Sequence, residues 1–325
     1  MKKIQFKNST IDLTKLLPLV AVITLFTFFS LRNSQFLGLY NIGNILDFAN
    51  TYFIAGIGLT FVVLIGSIDL SIGAMISLDT IIFIIMINAI GFWAYPIIIV
   101  IGIALGLFNG VVLMRLKIPS FIVTLGSSGI FMSLALIFSG AGPIGLVPKQ
   151  LHTLSFLTVR IGPFTVNHLL GLILFIVFQI IQNKTFFGKT VYAVGNSEVT
   201  TELSGLPIMR TKLISFTISG LCTALASIVI VSIMLSAAPS TGPPYMLLII
   251  ATVVVGGTAL SGGIGGVYNT LLGSLLLSML RNGMNVIGVD IYYQQIIYGA
   301  IIIAAVSLTL DRSKIKIVKL SLIHI

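Results

Sequence analysis

The chain has 325 residues, of which 57% are hydrophobic and 8% charged, with a mean hydropathy of +1.15 and a formal net charge of +10. Soluble domains carry about 25% charged residues, so too few charges remain here to cover a globular surface, and a soluble protein with a large core is excluded. Apolar runs such as LLGLILFIVFQII do not alternate, which argues against a transmembrane barrel of alternating strands and predicts an all-α, polytopic membrane protein.

The first fifteen residues, MKKIQFKNSTIDLTK, are basic and lead into an apolar run. Ser34 and Gln35 do not make a small-x-small cleavage site, so an uncleaved first span is expected in place of a signal peptide. Ten spans are predicted, at residues 16–31, 45–65, 70–90, 93–113, 121–138, 166–181, 213–235, 246–255, 267–280 and 291–310. The eighth runs into GGTALSGGIGG. That stretch has too many glycines for a lipid-facing helix and is expected to be a broken helix packed inside the bundle.

An even number of spans puts both termini on one side. With that side cytoplasmic, it holds 14 basic residues: Lys2, Lys3, Lys7, Lys15, Arg115, Lys117, Lys184, Lys189, Arg210, Lys212, Arg312, Lys314, Lys316 and Lys319. The outer side holds 4: Arg32, Lys149, Arg160 and Arg281. Cationic loops face the cytoplasm. The positive charge is therefore that of a membrane protein, no nucleic-acid partner is expected, and both tails, 1–15 and 311–325, are predicted cytoplasmic. The chain reads as one transmembrane domain over 1–325, with its longest cytoplasmic loop at 182–212 and its longest outer loop at 139–165. The outer loop begins with GAGPIG and suits a lid or a docking surface.

In chain order, the first motif is GSIDLSIGA at 66–74. Asp69, followed by Ser71, either caps the third helix or contacts a solute. Asp79, deeper in the third span, and Asn109 in the fourth either line a polar path or make hydrogen bonds between helices. FFGKT at 186–190 ends like a phosphate-binding loop, but Asn183 stands where that pattern needs a glycine. It is expected to be a basic loop at the membrane edge, and the chain is not expected to bind ATP. Cys222 is the only cysteine, which rules out an intramolecular disulfide. His152, His168 and His324 are scattered, and no metal cluster or catalytic triad is visible.

NSEVTTELSG, 196–205, is a polar island in which Glu198 and Glu202 share a helix face. VVVGGTALSGGIGGVYNT, 253–270, has six glycines. Gly256, Gly257 and Ser261 there serve either tight helix packing or a gate on the solute path. VLIGSIDLSIG and VVVGGTALSGG match weakly. Spans two to five and seven to ten start on opposite sides, which suggests an inverted repeat.

These three segments, continued by TLLGSLLLSMLRNGMNVIGV and YYQQIIYGAIII, resemble the permease subunits of ABC importers for ribose and other simple sugars. The resemblance covers about residues 41–310. It implies a type II importer-like fold in a bacterial inner membrane and a second permease copy, identical or related. It also implies an ATP-binding subunit carrying the ATP and Mg, and an extracytoplasmic solute-binding protein. The chain itself would bind no cofactor and would not be an enzyme. The polar island then matches the helix that docks on the ATP-binding subunit, through Asn196, Ser197, Glu198, Glu202, Leu203, Gly205 and Leu206. Two alanines usual there are Val199 and Thr200, and an acid usual soon after the tyrosine is missing beside Tyr245, where Met246, Leu247 and Leu248 follow. The alternative from the residues alone is a self-contained, ion-coupled carrier that uses Asp79.

Overall fold

The structure, a computed structural model, describes residues 5–6, 9–10 and 13–309, with side chains from 18 to 307. The expected tail 311–325, residues 1–4, 7–8 and 11–12 of the tail 1–15, and with them Lys2, Lys3, Lys7, Arg312, Lys314, Lys316 and Lys319 lie outside those residues. Each of the ten predicted segments falls on an α-helix. They are α1 (Leu13–Arg32), α2 (Leu39–Leu64), α3 (Ile72–Ile90), α4 (Ala94–Leu116) and α5 (Ser120–Ser139), with α6 (His152–Thr158) in the long loop that follows. Then come α7 (Val166–Lys184), α8 (Phe186–Asn196), α9 (Glu198–Leu203), α10 (Ile208–Met234), α11 (Pro243–Val255), α12 (Val267–Val286) and α13 (Ile291–Thr309). Helices satisfy their own backbone polar groups, which is what an apolar solvent demands. Five stretches of the described residues are long and apolar enough to cross a membrane, one of them the 45-residue α3–α4 unit.

Burial separates the helices. The most apolar windows of α2 and α10 are 78% and 72% buried, against 28% for α5 and α7. α2 and α10 therefore form the centre, while α5 and α7 leave apolar surface facing outward. The centre closes through small residues. A Cβ at Gly58 of α2 would lie 2.7 Å from Ser219 Cα of α10. Gly102 and Gly106 of α4 abut Gly220 of α10. Thr60 of α2 meets Thr270 of α12, hydroxyl to hydroxyl, at 2.5 Å. Such contacts let backbones approach until dispersion and interhelical hydrogen bonds hold the bundle, since lipid supplies no hydrophobic drive between helices.

The helices share two ends. At one, Asn33 after α1 donates to Val286 O of α12, and Asn88 of α3 is bonded to the backbone of Gly145 and Val147. At the same end Ile144–Gly145 pairs with Ser236–Ala237 beyond α10. At the opposite end Gly263 N donates to Leu64 O of α2, and Gln182 of α7 accepts from Val267 N of α12. Arg115, Lys117, Lys184, Lys189, Arg210 and Lys212 sit on the elements of this second end.

Several expectations are corrected. FFGKT is no loop: it starts α8, with Thr185 Oγ1 accepting from Gly188 N as the N-cap. Gly188 fits there because its Cα backs onto the Ile181 and Gln182 carbonyls. The eighth span is not a broken helix. α11 stops at Val255, residues 256–266 turn, and α12 returns against α11. α12 runs to Val286, so Arg281 belongs to a helix and not to an outer loop. The GAGPIG loop is anchored by the Ile144–Ala237 pairing and by α6.

Candidate functional site

At the second end the three sequence motifs meet. Gly263 N bonds Leu64 O, just before the GSIDLS turn. Gly195 of α8 packs between Leu64 O and Gly263 N, where no Cβ fits. Tyr192 of α8 donates to Gly265 O at 2.6 Å and accepts from Gln182 Nε2 at 2.7 Å. Burial pushes the Tyr192 hydroxyl up from its ordinary value, which keeps the proton it donates. Gly257, Gly262, Gly263 and Gly265 have φ between +73° and +112°, which only glycine adopts without strain. The glycine loop is thus a rigid pad under α8.

α9 hangs from that pad. Asn196 ends α8, and Ser197 caps α9 by accepting from Thr200 N at 3.2 Å. Glu198 sits in the first turn, where the helix dipole favours a negative charge, and it accepts from Lys212 Nζ of α10 at 2.6 Å. Gly205 has φ +70°, and Leu206 N bonds Thr201 O, closing the helix as a left-handed cap. Only Thr201 is buried. Val199 and Leu203, four apart on one face, are 69% and 85% exposed. Glu202 is also exposed, and Leu206 is half-buried.

Asp69, Ser71 and Asn109 do come together, but not as a helix cap. Asp69 Oδ1 accepts from Ser71 N at 2.9 Å and Ser71 Oγ at 2.6 Å, and Oδ2 accepts from Ser219 Oγ of α10 at 3.0 Å. Asn109 of α4 donates to Ser71 Oγ at 2.8 Å. Ser71 precedes α3 without a side-chain cap bond. The fully buried carboxylate instead ties the turn to α10 and α4. Asp79 joins none of this. It is fully buried, and neither oxygen has a hydrogen-bond partner among the described residues. Gly256, Gly257 and Ser261 lie on the α11–α12 turn, away from the two cavities at the other end.

Sequence reasoning missed those cavities. Between α2, α10, α11 and α12 is a space of about 420 Å³ lined by Asn44, Asp47, Phe48, Thr51, Tyr245 and Arg281, among others. Next to it, a space of about 240 Å³ shares Asp47 and is walled by Arg160 and Thr165. Asp47 pairs with Arg160, and its Oδ1 lies 3.2 Å from His168 Nε2. The lining comes from elements far apart in sequence, which no local pattern connects. The cues within reach were that Asp47 falls inside a predicted span and that Asn44, Asp47, Phe48 and Thr51 are spaced as one helix face.

A sequence model of the family described as "Branched-chain amino acid transport system / permease component" matches residues 41–306. The ribose import permease protein of Bacillus subtilis is 35% identical over 313 residues, 92% of this chain and 93% of that protein. That of Haemophilus influenzae is 34% identical over 291 residues, 88% and 90% of the two chains. The L-arabinose transport system permease protein of Escherichia coli is 33% identical over 268 residues, 80% and 78% of the two. No solved structure matches the chain.

Proposed function

We propose a role for this chain from the family to which it belongs, that of the branched-chain amino acid transport system permease components. It is the transmembrane subunit of an ABC sugar importer. The solute we assign is ribose or a similar small polar molecule, in keeping with relatives named for ribose and arabinose import. ATP and Mg act in a separate ATP-binding subunit, an extracytoplasmic binding protein delivers the solute, and two permease copies work together. The membrane is the bacterial inner membrane, and the end that carries α8 and α9 is cytoplasmic, as are both termini.

In this reading the ten predicted segments cross the membrane as an inverted repeat of a type II importer-like fold. Helix packing supports that pairing. α10 packs on α4 as α2 packs on α12, α3 on α5 as α11 on α13, and α3 on α10 as α11 on α2. The pairing matches α2–α5 with α10–α13. It leaves the weak likeness between residues 63–73 and 253–263 outside the repeat, because both of those turns lie at one end.

The observation that carries the function is α9: a capped helix, braced by Lys212, that offers Val199 and Leu203 to a partner and buries almost nothing of its own. Residues 182–212 then form the coupling segment. ATP-driven closure of the partner moves the α8–α9 unit, and the α8 contacts with the glycine loop and the end of α2 at Leu64 pass that motion to α2, α11 and α12. ATP shifts the equilibrium only through its partner's differential contacts with the two states. Asp79, without a hydrogen-bond partner among the described residues, keeps the ion-coupled carrier as the competing reading. One experiment separates them. Glu198→Arg should abolish uptake while the chain remains in the membrane at wild-type level. Unchanged uptake would remove α9 from the mechanism.

A further inference from the structure

The 420 Å³ cavity contains a cation that no described carboxylate pairs. Arg281 of α12 reaches it, and none of the described carboxylates lies within ion-pair distance of its guanidinium. One N–H donates to Tyr52 Oη of α2, and the guanidinium lies over the Phe48 ring, 4.3 Å from its centroid. Asp47 faces the same space but is already engaged by Arg160 and His168. The first two turns of α11, PPYMLLI, carry no acid. The Tyr245 phenol also reaches the guanidinium, and the remaining N–H groups of its five are open to a ligand. The wall around them is that of a polyol site: the Asn44 amide, the Thr51 hydroxyl, the Tyr245 phenol and the Phe48 ring. The cavity lies among the starts of α2 and α11 and the ends of α10 and α12, at the end assigned to the outside.

An Arg within a membrane segment is costly and marks a solute path more often than a scaffold. A neutral sugar would leave that charge uncompensated. A single carboxylate would match it one to one, because the planar fork of arginine takes a planar carboxylate through two parallel hydrogen bonds. We propose that this cavity receives a small polyol bearing one carboxylate, a sugar acid, with Arg281 pairing the carboxylate and Asn44, Thr51 and Tyr245 facing its hydroxyls. The assignment rests on the importer reading and narrows its solute class.

The test is uptake of radiolabelled D-ribonate and D-ribose by the native host with all partner subunits present. The chromosomal gene is replaced in turn by the wild type, Arg281→Gln, Arg281→Lys and Glu198→Arg. The wild type should take up ribonate in preference to ribose. Arg281→Gln should lower the ribonate-to-ribose ratio about tenfold or more, the equivalent of one charge-assisted pair, and Arg281→Lys should restore part of the ratio. A wild type that takes up ribose but not ribonate, or neither, overturns the proposal. So does an Arg281→Gln chain, present at wild-type level, that loses both solutes equally, which is the mark of a clamp between α12 and α2. Loss of all uptake in Glu198→Arg supports the importer itself. Uptake that survives in that variant fails the importer reading, while the ratio in Arg281→Gln still reports on the cavity.

Discussion

Asp69 is a carboxylate whose environment decides its role. It accepts three hydrogen bonds, from Ser71 N, Ser71 Oγ and Ser219 Oγ, at full burial. Removing one partner of a buried network leaves the others unsatisfied, at about 1–3 kcal/mol per group. Asp69→Ala should therefore lower the unfolding midpoint of the detergent-purified chain by the equivalent of at least ~2 kcal/mol, read by thermal unfolding. A midpoint equal to wild type would show that the network carries no stability. Glu198 sits at the other extreme, on an exposed helix, and its ion pair with Lys212 contributes about 1 kcal/mol at most. Glu198→Arg should thus leave the midpoint nearly unchanged while uptake is lost, and that separation of stability from transport is the signature of a docking residue.

At the scale of elements, the helix crossings depend on where a side chain fits. A Cβ at Gly106 would meet the Phe216 carbonyl and the Gly220 backbone of α10. A Cβ at Gly126 in α5 meets nothing within 4 Å. Gly106→Ala should destabilise by roughly 2 kcal/mol or more through overpacking. Gly126→Ala should be neutral or stabilising by up to about 1 kcal/mol, because alanine favours a helix. Thermal unfolding of the two variants side by side checks both, and equal effects would contradict the α4–α10 contact. Gly205→Ala, at φ +70°, should cost about 1 kcal/mol and reduce uptake by loosening the end of α9. These elements differed in how far they could be read beforehand. α9 was legible because serine, glutamate and a closing glycine spell a cap, a first turn and a stop. α8 was not. Its glycines, Gly188 and Gly195, look like loop residues until the Ile181–Gln182 carbonyls and the Leu64 carbonyl are seen pressed against them.

Across the whole molecule, each of the ten apolar runs picked out by hydropathy falls on a helix, because a non-alternating apolar run in lipid must satisfy its own backbone. It placed their ends less well. Arg281 and Asn282 looked like the close of a span, yet α12 continues to Val286, with the arginine turned inward to Tyr52 and the Phe48 ring. The cluster of Asp47, Arg160 and His168 spans three separate elements and leaves no periodic trace. Orientation can be checked with the chain's own chemistry. Cys222 is its only cysteine and is fully buried, so the wild type should resist a membrane-impermeant maleimide. Leu203→Cys should label only in inside-out vesicles and Ile161→Cys only in right-side-out ones. Labelling of both from one side would contradict the arrangement.

If α9 docks on an ATP-binding subunit, the two should leave the native membrane together when the tagged chain is purified in mild detergent and the proteins bound to it are identified by mass spectrometry. The wild type should bring down a stoichiometric ATP-binding subunit, and Leu203→Arg should lose it. A homogeneous wild-type preparation without an ATPase, still active in ion-loaded vesicles, would contradict that docking and move attention to Asp79.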